Sequence, residues 1–226
     1  MDFQAIIFDM DGVLIDSEPL QLKRQQEFLE YLGVKVPNQE LVKMVGGNKK
    51  MYFEIISKYY SKEDDYLSYY QKYDRYFENR PIDYQALLNP TAISLLKWLQ
   101  SQNLKIALAS SGAPEKIATV LNQCGLTDFF DPVISGNMFK QSKPNPEIYL
   151  TVASMLNVKS EECVVIEDSD YGIKAGKGAG MYTIAIKEER FPFSQAQADR
   201  IVASLSDVPA ELVKYKKRKS LPDDSS

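Results

Sequence analysis

Two aspartates, Asp9 and Asp11, follow the apolar run Ala5-Ile6-Ile7-Phe8 and meet Gly12. A short strand that ends in such a turn places both carboxylates on one rim. The chain has no histidine among its 226 residues, so acid, base and nucleophile must come from other side chains. A carboxylate is already ionised near neutral pH and can attack phosphorus without the activating base that serine needs.

Three further sets repeat the pattern of polar groups at the end of an apolar run. Ser110 and Ser111 follow Ala107-Leu108-Ala109, and Glu167 and Asp168 follow Val164-Val165-Ile166. Lys143 lies in Ser142-Lys143-Pro144-Asn145-Pro146, directly before a helical pattern. Each set has a plain reading alone: Asp and Gly favour turns, serines and acidic residues cap helices, and lysines sit on surfaces. Together the plain readings are poor, because caps do not require two acidic groups, a hydroxyl and a lysine at separate ends of one sheet. Three carboxylates near one point repel, each pair at 4 Å by roughly 4 kcal/mol at an effective dielectric near 20. Oxygen donors that leave room for water select Mg²⁺, and the lack of histidine removes the usual zinc sets. Lys143 adds a second positive charge, and Ser110 with nearby backbone N–H groups supplies donors for phosphoryl oxygens.

The elements that must position these groups are legible as apolar runs of strand length at 4–8, 104–109, 163–166 and 182–186, with a weaker one at 132–135. Helical patterns cover 90–102, 114–123, 145–156 and 170–179. Alternating strands and helices, with strands apolar on both faces, predict an α/β fold with a doubly wound parallel sheet. Ligands then sit at the carboxyl ends of the strands. Residues 17–83 break the rhythm and read as helices over Pro19–Leu32, Gln39–Val45, Lys50–Tyr59 and Asp64–Asn79. The expectation is a discontinuous core of 1–16 and 84–226, ending in a flexible tail from about residue 207, with an inserted helical cap domain over 17–83. That cap leaves the core right after the acidic turn and is placed to act as a lid. Eight of the fourteen tyrosines fall between Tyr52 and Tyr76, and their helical spacing predicts packing surface rather than a sugar platform. Gly176, Gly178 and Gly180 lie after a helix and before a strand, the wrong side for a phosphate loop, and read as a helix exit.

Asp9-Met10-Asp11-Gly12-Val13-Leu14-Ile15-Asp16-Ser17-Glu18-Pro19, Ala107 to Gly112, Ser142 to Tyr149 and Val165 to Ile173 resemble the four motifs of the haloacid dehalogenase superfamily. More narrowly they resemble its beta-phosphoglucomutase-like phosphatases with a helical cap, over about residues 3–205. The resemblance implies that Asp9 attacks phosphorus to form an aspartyl-phosphate. Asp11 would protonate the leaving alkoxide and then activate water. Ser110 and Lys143, with Ser111 beside them, would hold the phosphoryl group. Asp9, the backbone carbonyl of Asp11, and Asp168 would bind Mg²⁺, with Glu167 a direct or water-mediated ligand.

The mutases of that group use a cap histidine twelve residues after the nucleophile, where this chain has Gln21. Glutamine can hydrogen-bond a hydroxyl but cannot shuttle a proton near neutral pH, so hydrolysis is expected over sugar phosphomutation. Lys50 stands about where the family places a phosphate-binding arginine. Gly46-Gly47-Asn48-Lys49-Lys50 either contacts a second polar or anionic group of the substrate or is a solvated helix start. The dehalogenases attack carbon and lack a second acid in the first motif, which Asp11 supplies here. A phospho-accepting signalling receiver also combines acids, a hydroxyl, a lysine and Mg²⁺ on a doubly wound sheet, but the inserted cap and the Asp-x-Asp-Gly order argue against it.

Composition bounds the partners. A net charge of −4 and a pI near 5.1 repel polyanions, so nucleic acid is not expected. The basic run of Lys214 and Lys216 to Lys219 reads as a solvated chain end. Cys124 and Cys163 are far apart and suggest neither a disulfide framework nor a metal cluster. No apolar run reaches bilayer length, so no membrane partner is expected and a reducing cytoplasm is the simplest location. The expected ligand is a small phosphorylated metabolite, a sugar phosphate from the family likeness, and the expected assembly a monomer or weak homodimer.

Overall fold

The computed structural model describes residues 3–60, 64–192 and 194–220, the side chains of 216–220 aside. Six strands form one fully parallel sheet: β1 (Ala5–Phe8), β2 (Lys105–Ser110), β3 (Val133–Ser135), β4 (Cys163–Glu167), β5 (Tyr182–Ile186) and β6 (Arg200–Val202). Their order is β3-β2-β1-β4-β5-β6. The chain moves outward from β1 through β2 to β3, then returns to the other side of β1 for β4, so the switch point lies at the carboxyl ends of β1 and β4. This is where an open α/β sheet leaves a crevice.

The central strands are buried on both faces. Ile6, Phe8, Leu108, Val164 and Ile166 pack into one layer with the helices α5 (Ala92–Ser101) and α6 (Pro114–Gln123). Ala5, Ile7, Ala107, Ala109 and Val165 face α7 (Glu147–Leu156) and α8 (Asp170–Gly178) on the other side. Alternate residues of one strand therefore feed two cores, which is why the runs lack a polar side.

Between β1 and α5 lie, among the described residues, four α-helices, α1 (Glu18–Tyr31), α2 (Asn38–Val42), α3 (Lys49–Ile56) and α4 (Tyr66–Tyr76). Asn48 and Asp65 cap α3 and α4 by accepting from Met51 N (2.9 Å) and Ser68 N (2.8 Å). These helices share their own apolar cluster, in which Phe28, Tyr69 and Ile56 are fully enclosed. The tyrosine stripe is its main content, with Phe28 edge-on to Tyr69 and Tyr73. The two linkers to the sheet run side by side: Asp16 N–H donates to Leu87 O and Asn89 N–H to Leu14 O, each at 2.8 Å. Arg190, from the loop after β5, grips the outgoing linker through a two-pronged contact with the Asp16 carboxylate (2.8 and 2.9 Å).

The structure differs from the sequence reading at two places. The stretch expected as a flexible tail from 207 carries helix α9 (Val208–Ser220), because Val208 and Leu212, one turn apart, bury against the first core layer; residues 221–226 lie outside the described part. Strand β6 went unread because it is three residues long with Ile201 half exposed. The Gly176 to Gly180 stretch does close α8, whose last residue is Gly178 with Gly180 following at φ +73°, while Gly176 itself lies inside the helix, where a Cβ would meet Thr183 Oγ1 at 2.7 Å. The helix needs that closeness to lie on the sheet. Cys124 and Cys163 are free and buried.

Candidate active site

Asp9 is the first residue beyond β1 and is buried, at 7 % exposure. Lys143 reaches it from the loop before α7, Nζ to Oδ1 at 2.6 Å, and the same Nζ donates to Glu167 Oε1 at 2.7 Å and Ala109 O at 3.0 Å. One ammonium thus joins the ends of β1, β2 and β4. Glu167 is held from every side: Tyr149 Oη donates to Oε1 (2.9 Å), and Asp168 N, Ser169 N and Ser169 Oγ donate to Oε2 (3.0–3.1 Å). With five donors on its two oxygens, Glu167 is held firmly and in turn fixes Lys143. Ser169 also caps α8 by accepting from Gly172 N, so a capping residue and two site carboxylates occupy consecutive positions.

Glycines make the room. A Cβ on Gly172 would lie 1.6 Å from Glu167 Oε1, and one on Gly12 would lie 2.0 Å from Asp168 Oδ2. Gly12 also adopts φ +81°, a conformation glycine takes at no steric cost. Gln195, from the loop after β5, donates to the backbone oxygens of Asp168 (2.6 Å) and Ile186 (2.7 Å) and so fixes the peptide that carries Asp168.

Asp9, Glu167 and Asp168 bring carboxylate oxygens within 4.8 Å of one another. Burial pushes Asp9 up to about 7, more than the Lys143 attraction pulls it down. Asp168 is raised well above the carboxylate range by burial, then by the charges of Glu167, Asp9 and Glu18. Burial also opposes the charge on Glu167, yet Lys143, Tyr149 and Ser169 hold it below its usual value. Lys143 is buried too, but Asp9 and Glu167 outweigh that and keep its ammonium well above the ordinary range. An all-oxygen, buried, mutually repelling donor set suits a hard divalent cation.

Asp11 points away from this cluster toward the helical insertion. Ser17 Oγ and Gln21 Nε2 (3.1 Å) donate to its Oδ1, and Lys116 Nζ reaches Oδ1 at 2.7 Å and Oδ2 at 2.8 Å. The expected residues therefore fall into two groups, Asp9 with Lys143, Glu167 and Asp168, and Asp11 with Gln21. Ser110, 1 % exposed at the end of β2, accepts from Gly112 N (3.0 Å), which ties its hydroxyl to the β2 loop; Ser111 and Gly112 line the cavity beside it. Gly47 and Lys50 line the opposite, cap side, with Lys50 exposed. Gly46 at φ +76° closes on the sheet side, where a Cβ would be 2.8 Å from Ser169 Cβ.

The cavity between insertion and sheet measures about 1690 Å³, larger than the roughly 300–1,000 Å³ of common small-molecule pockets. Asp9, Asp11, Lys143 and Asp168 line one wall and Arg24, Tyr70, Tyr73 and Phe77 the other.

The family model described as haloacid dehalogenase-like hydrolase matches residues 6–186. The chain belongs to the haloacid dehalogenase-like hydrolases. Among relatives, a phosphorylated carbohydrates phosphatase of Thermotoga maritima is 34% identical over 183 residues, 80% of this chain and 83% of the relative. A beta-phosphoglucomutase of Bacillus subtilis is 29% identical over 97% of this chain and all of its own length (100%). A solved beta-phosphoglucomutase from Clostridium difficile superposes with a TM-score of 0.77 at 26% identity, covering 96% and 98% of the two chains. No helix among the described residues is long and apolar enough to cross a membrane.

In this haloacid dehalogenase-like hydrolase, sequence reasoning missed Lys116, Tyr149, Gln195 and Glu18. Tyr149 was within sight, six residues past Lys143 in an already noted motif. Lys116 lies two residues past the Pro114 that opens α6, where the pattern reads as an ordinary amphipathic helix. Glu18 looks like a first-turn acid of α1, yet it is 5 % exposed, and Oε2 has no hydrogen-bond partner among the described residues. Burial, then Asp11, pushes it up to about 8.

Proposed function

We propose that this chain is a Mg²⁺-dependent phosphatase that hydrolyses a small phosphorylated metabolite, a sugar phosphate, through an aspartyl-phosphate on Asp9. The observation that carries the reading is the buried Lys143 bridge between Asp9 and Glu167 (2.6 and 2.7 Å) beside Asp168. A nucleophile there is flanked by a fixed cation and by oxygens suited to a second one. When bound by Asp9, Asp168 and the Asp11 carbonyl, Mg²⁺ would neutralise charge on the phosphoryl oxygens. Lys143 and the Ser111–Gly112 loop would take further phosphoryl oxygens. Asp9 would attack in line, and Asp11, on the cap side, would give a proton to the leaving alkoxide. It would then take one from water.

Such positioning carries most of the rate, since acid–base catalysis supplies only about 10² to 10⁴. Gln21 on Asp11 favours water over a sugar as the final acceptor, because it orients the carboxylate without carrying a proton. The carbohydrate phosphatase named among the relatives supports a sugar substrate. The near full-length match to a beta-phosphoglucomutase supports phosphomutation as a second reading.

Phosphate release from a panel of hexose, pentose and hexitol phosphates tests both. We expect release that EDTA abolishes and Mg²⁺ restores. Release indifferent to EDTA would overturn the metal role, and isomerisation of β-glucose 1-phosphate without release would favour the mutase.

A further inference from the structure

Lys116 sits in the first turn of α6, which begins at Pro114. A cation there faces the positive end of the helix dipole, where an anion is preferred. Local stability therefore does not account for lysine at this position. Its Nζ is instead spent on Asp11, 2.7 Å from Oδ1 and 2.8 Å from Oδ2, in a contact where both side chains are mostly buried. Ser17 and Gln21 approach only Oδ1. Lys116 is thus the one donor recorded on Oδ2 among the described residues, and it comes from the sheet side while the other two come from the cap side.

Three donors around a carboxylate fix its direction. Resting on the phosphatase reading above, we propose that Lys116 is a positioning residue that fixes the direction of the Asp11 carboxylate, the base of the second half-reaction. In that step a water oxygen bonds to phosphorus as the bond from phosphorus to the Asp9 oxygen breaks. The water proton passes to Asp11, the electron pair of the broken bond returns to Asp9 as carboxylate, and inorganic phosphate leaves. With no histidine in the chain and glutamine at position 21, Lys116 is the cation that contacts Asp11 among the described residues.

The test uses p-nitrophenyl phosphate with Mg²⁺. Its leaving group departs without a proton, so kcat/KM reports attack by Asp9 and kcat reports whichever half-reaction is slower. For Lys116→Met and Lys116→Gln we expect kcat to fall about tenfold or more, within the range of a lost base. KM should fall in parallel, kcat/KM should stay within about twofold, and a near-stoichiometric burst of p-nitrophenolate should appear. Lys116→Arg should recover most of kcat. Parallel loss of kcat and kcat/KM without a burst would overturn the proposal, as would unchanged kcat in all variants. A wild-type chain that leaves every ester of the panel intact would instead remove the phosphatase reading on which the proposal rests.

Discussion

Replacing Lys143 with methionine tests how the site is held together. The side chains are similar in length, so packing is largely kept while the ammonium is removed. Lys143 is 5 % exposed and lies 2.6 Å from Asp9 and 2.7 Å from Glu167. Breaking a buried pair by deleting one partner costs about 3–5 kcal/mol, because the remaining charge stays desolvated. Here two carboxylates are left together. For a chain of this size each kcal/mol moves Tm by roughly 2–4 °C, so Lys143→Met should melt about 6–20 °C below wild type in metal-free buffer. Added Mg²⁺ should narrow that gap, since a cation that binds only the folded state stabilises it by mass action. The variant should also lose turnover while binding Mg²⁺ at least as tightly as wild type, having lost a competing positive charge. Calorimetric melts with and without Mg²⁺ read the stability and the metal binding, and phosphate release reads the turnover. A Tm within about 2 °C of wild type without metal would refute the claim that Lys143 is what lets Asp9 and Glu167 coexist.

Two further outcomes follow from the same geometry. Asp9 is pushed up to about 7 in the folded protein, against about 3.9 unfolded, so between those values the folded state binds more protons. Stability from this group is present below about pH 4 and is lost as pH rises through about 7. A cation needs Asp9 ionised, so titration calorimetry should show Mg²⁺ affinity rising from about pH 5.5 and levelling above about pH 7; a flat profile would argue that Asp9 is not a ligand. Gly172→Ala would place a methyl 1.6 Å from Glu167 Oε1, and denaturant unfolding should show a loss of about 3 kcal/mol or more. A neutral substitution would mean that the Glu167 carboxylate has another place to go.

Much of the arrangement could be read before any coordinates, for a physical reason. In a parallel sheet, polar groups that end continuous apolar runs have one rim to go to, so Asp9, Ser110 and Glu167 declare a shared site by sequence alone. The helix starts were legible where a residue acts locally, as with Pro114 at the head of α6. What escaped acts over distance. Nothing near Lys116 in sequence announces a partner 105 positions earlier. Gln195, in a loop of ordinary composition, reaches back 27 positions to the Asp168 backbone. The apolar stripe of α9 was masked by its neighbours: Val208 and Leu212 bury one edge, whereas the lysines that follow dominate the composition. Gly12 and Gly172 looked like turn and helix residues, and only the positions of Asp168 and Glu167 show that their missing side chains are what the site requires.

The central claim is that Asp9 takes the phosphoryl group onto its own carboxylate. Rapid quenching with substrate and Mg²⁺, borohydride reduction of any acyl phosphate and peptide mapping test this directly. The account predicts modification at Asp9, strengthened in Lys116→Met and absent in Asp9→Asn, which should also have no turnover. Sustained phosphate release with residue 9 never modified, or appreciable turnover by Asp9→Asn, would contradict it.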